Sequence, residues 1–269
     1  MSDPEQAFDL PAYLARVGCA GRPGVADVHR AHASAIPFEN LDPHRGEPVS
    51  LTRGDLEDKL VRAGRGGYCF EQNLLLREAL LALGAEVDMY LARVRVGAQP
   101  GMVRPRSHLV LRAQLDGEVW HADVGFGLGG PLEPLPWGPG DAHELAGWEY
   151  RVVGDGGELV LQSRAEGEWV DLYGFVPDPV PLIDVETINW WVCTHPGSPF
   201  VTGLIVARQD RDGLRTTVSD WAGLVLAESA PDGASSAVEV ERAELPALLA
   251  ERFGLPGFVL DERDRLVPA

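Results

Sequence analysis

A chain of 269 residues, 45% hydrophobic and 24% charged, is long enough to bury a substantial core as one large or two to three small domains. Its formal charge of −18 argues against general binding to nucleic acid or to an anionic membrane. Cys19, Cys69 and Cys193 are odd in number and widely spaced, which suggests neither a disulfide framework nor a zinc ribbon. No apolar run is long enough to span a bilayer, and Met1-Ser2-Asp3-Pro4-Glu5 lacks a basic leader, so the expected location is cytoplasmic.

In chain order, apolar periodicity predicts helices over residues 9–17, 25–35 and 55–62. His29 and His32 lie three apart on the second of these. No third ligand is evident, so they read as core or surface histidines and no metal is expected. The segment Arg65-Gly66-Gly67-Tyr68-Cys69-Phe70-Glu71-Gln72-Asn73 then opens a helix that runs to Leu83, with Gly84 placed to end it. A thiol at a helix N-terminus faces the positive end of the dipole, which stabilises the thiolate, and the two glycines admit close neighbours. This is a design for a nucleophilic cysteine, although a buried core cysteine would have the same local sequence.

From residue 87 the pattern changes to strands, first over 89–96. Arg93, Arg95, Arg104, Arg106 and Arg112 follow with no acidic residue among them, a basic island suited to phosphate groups. Asp116-Gly117 is a strong hairpin signal, and a two-residue loop there sets Leu115 opposite Glu118. One face then carries Leu109, Leu111, Ala113, Trp120, Ala122 and Val124. The other carries His108, Val110, Arg112, His121, Asp123 and Gly125. Asp123 is the diagonal neighbour of His108, within reach of its imidazole, and Gly125 opposite His108 leaves the ring room.

The run from Gly125 to Gly130 matches the dinucleotide-binding spacing, but Pro131, Pro134 and Pro136 prevent the helix that such a loop must open. It reads instead as flexible backbone past which an acyl or pantetheine chain can run. The stretch 131–137 reads as a surface linker. Strands are predicted over 148–153, 159–162 and 169–175, a helix over 185–192, a strand over 200–207 and a helix over 245–253. Trp190 and Trp191 read as packing residues, and Cys19 and Cys193 as structural thiols.

Taken together, Ala35-Ile36-Pro37-Phe38-Glu39-Asn40-Leu41, the Cys69 motif, Ser107-His108, Ala122-Asp123-Val124-Gly125-Phe126-Gly127, Asn189-Trp190 and Thr194-His195-Pro196 identify a likeness. The chain resembles the arylamine N-acetyltransferases over most of its length. The resemblance implies an α+β fold with a cysteine-protease-like catalytic core. Its parts would be a helical bundle over 1–85, an antiparallel β-barrel over 86–183 and an α/β lid over 184–269. It implies Cys69 as acyl-accepting nucleophile, His108 as its base and Asp123 as the group that orients the histidine.

The expected reaction carries an acetyl group from acetyl-coenzyme A to an arylamine or hydrazine through an acyl-cysteine. Gly125, Phe126 and Gly127 would flank the acyl or pantetheine arm, and Arg104 and Arg106 would meet the phosphates. Acetyl-coenzyme A is the co-substrate, with no tightly bound cofactor. Two other activities use the same residues. One is a macrolactam-forming amide synthase taking its acyl chain from a carrier protein, and the other is a thiol peptidase or deamidase. The stretches 198–203 and 218–221 lack the polar and basic residues expected for coenzyme A, which keeps the first of these open.

Overall fold

The computed structural model describes residues 7–99, 101–127 and 129–269; the leader region at Met1–Glu5 lies outside them. The first part is helical: α1 (Leu10–Val17), α2 (Val25–Ala35), the two-residue β1 (Phe38–Glu39), α3 (Leu41–His44), α4 (Arg53–Leu56) running into a π-helical turn (Glu57–Arg62), and α5 (Cys69–Ala82). Asp9 caps α1 by accepting the Ala12 N–H at 3.0 Å. Gly84, at φ +92°, ends the α5 region as its position suggested. α5 is buried along nearly its whole length, from Cys69 through Leu80, which suits a helix apolar on most sides.

Eight strands follow: β2 (Glu86–Val94), β3 (His108–Leu115), β4 (Glu118–Ala122), β5 (Leu135–Pro136), β6 (His143–Leu145), β7 (Trp148–Asp155), β8 (Glu158–Ala165) and β9 (Glu168–Phe175). They form one antiparallel sheet in the order β5-β4-β3-β2-β9-β8-β7-β6, coiled into a nearly closed barrel. The β3–β4 register is the one the Asp116-Gly117 turn dictates, with Leu115 opposite Glu118 and Leu111 opposite Ala122. Its apolar face, Leu109 through Val124, packs on the helices. Its other face is not solvated. His108, His121 and Asp123 are all buried inside the barrel, where Val110 joins Tyr90, Leu161 and Tyr173.

The remainder comprises α6 (Leu182–Thr194), α7 (Pro199–Thr202), β10 (Ile205–Gln209), β11 (Arg215–Ser219), β12 (Val225–Ser229), β13 (Ser235–Glu239), α8 (Leu245–Phe253), β14 (Phe258–Leu260) and β15 (Leu266–Pro268). The strand expected over 200–207 starts later, because Ser198 caps a short helix with Pro199 in its first turn. β10 to β13 form an antiparallel sheet whose first strand is β1, with Phe38 opposite Ala207. The chain before Cys69 and the tail therefore share a sheet. The 131–137 stretch is also no surface linker. Leu132 and Leu135 are buried, and Leu135 pairs with His121 on β4.

A buried ion cluster docks the glycine loop ahead of α5. Lys59 lies 2.6 Å from Asp42, 2.7 Å from Glu71 and 4.0 Å from Glu39, while Arg65 reaches Glu39 at 2.7 Å and Asp42 at 3.0 Å. Glu71 also accepts the Tyr68 N–H at 3.0 Å, which fixes the start of α5. Burial raises Glu71 to about 7 against the pull of Lys59, with Glu39 pushing the same way as burial. Lys59→Met leaves these carboxylates short of a cation and should destabilise the fold by about 3 kcal/mol in urea unfolding. A loss below about 1 kcal/mol would show that the cluster is not a structural anchor.

Candidate active site

Cys69 is the first residue of α5, and His108 is the first of β3. His108 Nε2 lies 2.7 Å from Asp123 Oδ2, both side chains being buried. The other ring nitrogen, Nδ1, is left free for the Cys69 thiol, whose nearness helps to raise the imidazole. Cys69 Sγ also lies 3.6 Å from the Ser107 carbonyl oxygen. The three residues singled out from sequence are thus brought together at the junction of α5 and the barrel.

That junction requires glycine. A Cβ on Gly125 would come 2.7 Å from Cys69 Cα and 2.8 Å from its carbonyl oxygen. Gly125 therefore makes room for the start of α5 rather than for the imidazole. A Cβ on Gly66 would collide with the Pro37 carbonyl oxygen, and one on Gly67 would meet the Glu71 carboxylate at 2.8 Å.

Asp123 is satisfied on both oxygens. Oδ1 accepts Asn73 Nδ2 and the Gly125 N–H, each at 2.9 Å, and Oδ2 takes His108. Asn73 stands one turn beyond Cys69, and its own Oδ1 accepts the Val124 N–H at 3.0 Å. The sequence motif contained Asn73 without revealing this task; its i, i+4 spacing from Cys69 was the available signal. His29, expected to be an ordinary core or surface residue, accepts the Asp123 N–H at Nε2, 3.0 Å away. Its Nδ1 lies 2.9 Å from the Leu132 carbonyl and so donates, which fixes the neutral tautomer. On the far side, the Tyr173 hydroxyl is 2.7 Å from His121 Nε2 and also interacts with Asp123.

The charges are strongly perturbed. Burial alone would lower His108, but the Asp123 charge and hydrogen bond, with Cys69, raise it to about 10. Burial would raise Asp123, yet His108, Asn73 and the Gly125 N–H hold it well below the usual carboxylate range. The Asp123–His108 ion pair is therefore the favoured state.

A cleft of about 580 Å³ opens onto the thiol. Cys69, Ser107 and His108 lie in it with Phe126, Phe200 and Trp221, and its wall is mostly apolar. Arg104 also lines it and donates to the Val96 carbonyl at 2.9 Å and the Gly97 carbonyl at 2.8 Å, while Arg106 is exposed. The rest of the basic island is committed elsewhere. Arg95 pairs with Asp171 at 2.9 Å and Asp155 at 3.3 Å, Arg112 with Asp88 at 3.1 Å, and Arg93 donates to the Arg104 carbonyl. Nor are the tryptophans simply packing residues, because Trp190 is 64% exposed and Trp191 lines the cleft. Among the described residues no cluster of three or more metal-ligating side chains occurs.

Three neutral histidines give the site a pH signature. Burial lowers His29 and His121 to about 4 and His32 to about 3, from 6.5. Below pH 6.5 the unfolded chain takes up these protons and the folded chain does not, so stability falls as pH drops towards 4. Each histidine contributes about 1.4 kcal/mol per pH unit once fully engaged. His108 runs the other way: its contribution is present below 6.5 and is lost as pH rises towards 10. Urea unfolding should therefore show greatest stability near pH 6.5, with His29→Gln flattening the acid limb. A stability unchanged between pH 7 and 5 would contradict these assignments.

A family model described as N-acetyltransferase matches residues 24–259. The arylamine N-acetyltransferase of Mycolicibacterium smegmatis is 41% identical over 210 residues, covering 75% of this chain and 76% of its own. That of Escherichia coli is 33% identical over 271 residues, covering 94% and 93%. Among solved structures, the M. smegmatis arylamine N-acetyltransferase matches with a TM-score of 0.87 at 37% identity over 93% of each chain. The Mycobacterium marinum enzyme in complex with CoA matches at 0.86 and 36% identity over 92% of this chain and 93% of its own. On sequence and fold alike, the chain belongs to the arylamine N-acetyltransferase family.

Proposed function

We propose that this acetyltransferase moves an acetyl group from acetyl-coenzyme A to an arylamine or hydrazine, with Cys69, His108 and Asp123 as its catalytic triad. The observation that carries the reading is the 2.7 Å His108–Asp123 contact, which turns the remaining imidazole nitrogen towards a thiol at a helix N-terminus. Family membership supports the donor and the acceptor class.

Before the first step His108 already holds the proton drawn from Cys69, and the sulfur attacks the thioester carbonyl as the thiolate. A new S–C bond forms, the bond to the coenzyme A sulfur breaks, and the departing thiolate recovers the proton from His108. In the second step the amine nitrogen attacks the acetyl-cysteine. The Cys69 C–S bond breaks, and the proton shed by the amine passes to His108, which restores the thiolate–imidazolium pair. Exchange between two sulfurs is nearly isoenergetic, which suits cysteine better than serine. The first N–H groups of α5 have no intrahelical acceptor and can receive the developing oxyanion. The apolar wall of the cleft suits an aryl ring, and Gly125, Phe126 and Gly127 flank the path of the pantetheine arm.

One observation favours a second reading. Of the five arginines in the basic island, Arg95 and Arg112 are held in ion pairs and Arg93 is turned to the Arg104 carbonyl, which is sparse provision for coenzyme A phosphates. An amide synthase loaded from a carrier protein would need fewer cations. Intact mass after mixing with acetyl-coenzyme A should show one added acetyl group, absent in Cys69→Ala and retained in Cys19→Ala and Cys193→Ala. Removing the charges of Arg104 and Arg106 should raise the donor KM more than it lowers kcat. Sluggish loading by acetyl-coenzyme A beside fast loading by long-chain synthetic thioesters would select the carrier-bound donor. Acetylation surviving in Cys69→Ala would overturn the nucleophile assignment.

A further inference from the structure

Arg215 on β11 is a largely buried cation without a counter-ion among the described residues. Its Nη2 donates to the Gly129 carbonyl at 3.1 Å and to the Tyr150 hydroxyl, and its guanidinium carbon lies 3.6 Å from the centre of the Trp148 ring. Its Nε is buried without an acceptor. The neighbouring Arg208, by contrast, is paired with Asp210 at 3.0 Å. Burial lowers the Arg215 pKa, as expected where no carboxylate offsets the loss of water. A chain of net charge −18 has many carboxylates to spare, and none is placed here. A guanidinium that is only partly exposed and has no carboxylate partner among the described residues suits an anion that binds it.

The space for that anion is present. Arg215 borders a cavity of about 230 Å³, distinct from the thiol cleft, which shares only Phe38, Phe126 and the nearby backbone with it. Gln209 also lines the cavity, beside Tyr150, with its Nε2 lacking a well-formed acceptor. Apolar walls come from Ile36, Phe38, Val124 and Phe126. The other charged groups at the cavity are already matched, Arg208 by Asp210 and Asp123 by His108. A dry cavity of about 150 Å³ is enough to hold benzene, so this one admits a ring and a carboxylate.

We infer that this cavity is a binding site for a small aromatic carboxylate, with its carboxylate on Arg215 and its ring against Phe38 and Phe126. Nη2 already serves Gly129 and Tyr150, so the carboxylate takes charge-assisted hydrogen bonds from the remaining guanidinium N–H groups, and the apolar end replaces water on the aromatic wall. The ligand would lie against Val124 and Gly127, immediately beyond Asp123, without occupying the space in front of Cys69. The site borders Asp123 from behind but lies away from the Cys69 thiol, and the binding measurement needs no acyl transfer, so it survives or fails independently of the proposed reaction.

The probe is 4-bromobenzoate, titrated calorimetrically against the whole protein and soaked into crystals, where bromine is located by anomalous scattering. Bromine should appear beside Arg215. Arg215→Gln should weaken solution binding by about tenfold or more, and the neutral 4-bromobenzyl alcohol should bind correspondingly worse. Because Arg215→Gln also removes contacts to Gly129 and Tyr150, Ala227→Phe provides the second variant. It fills the cavity, leaves the guanidinium in place, and should abolish binding while near-UV circular dichroism stays native. Bromine found only in the thiol cleft, binding seen in crystals but not in solution, or unchanged affinity in either folded variant would overturn the assignment.

Discussion

A charged, fully buried Asp123 is the constraint around which the rest of this molecule is arranged. A carboxylate removed from water costs several kcal/mol unless its lone pairs are met. Here they are met by His108, Asn73 and the Gly125 N–H, while His29 takes the residue's own N–H. These partners come from β3, α5, the chain after β4, and α2. Satisfying one carboxylate therefore fixes how the helical part sits on the barrel. It also decides where the thiol is, because Asn73 and Cys69 are one turn apart on the same helix.

The second fixed point is the ion cluster of Lys59 and Arg65 with Glu39, Asp42 and Glu71. It holds the glycine loop in front of α5 from below, as Asp123 holds it from the barrel side. Gly66, Gly67 and Gly125 are where these two surfaces approach too closely for any Cβ. The tail joins the same construction through β1, since Phe38 pairs with β10 and its ring lies under Gly127. Thus the tail strands complete one side of the cavity behind the site, and Trp221 stands at the mouth of the cleft in front of it.

Much of this was legible in the sequence because it follows from local rules. The Asp116-Gly117 turn fixes the β3–β4 register, and that register alone places Asp123 beside His108. The helix at Cys69 follows from the glycines before it, the apolar run after it and Gly84 beyond it. What was not legible depends on contacts between distant segments. Nothing near residue 29 indicates that His29 will meet the Asp123 backbone, because they are 94 positions apart. Arg95 and Arg112 looked free because their carboxylates lie elsewhere in the chain, as the Arg95–Asp171 pair illustrates. That the polar hairpin face is buried could not be read from the hairpin itself, because the nearly closed barrel buries it. The strands β11 to β13 could have been anticipated, since Asp212-Gly213 and Asp232-Gly233 carry the same turn signal as Asp116-Gly117.

The central claim is that Asp123 acts through His108 on the Cys69 sulfur, and alkylation kinetics test it without any substrate. Iodoacetamide should modify Cys69 at pH 6 much faster than Cys19 or Cys193, because reaction rate follows the thiolate fraction. His108→Gln, Asp123→Asn and Asn73→Ala should each slow that reaction by about tenfold or more at pH 6, with the rate recovering only as pH approaches the ordinary thiol value of about 8.5. Equal rates and equal pH profiles in all four proteins would contradict the account.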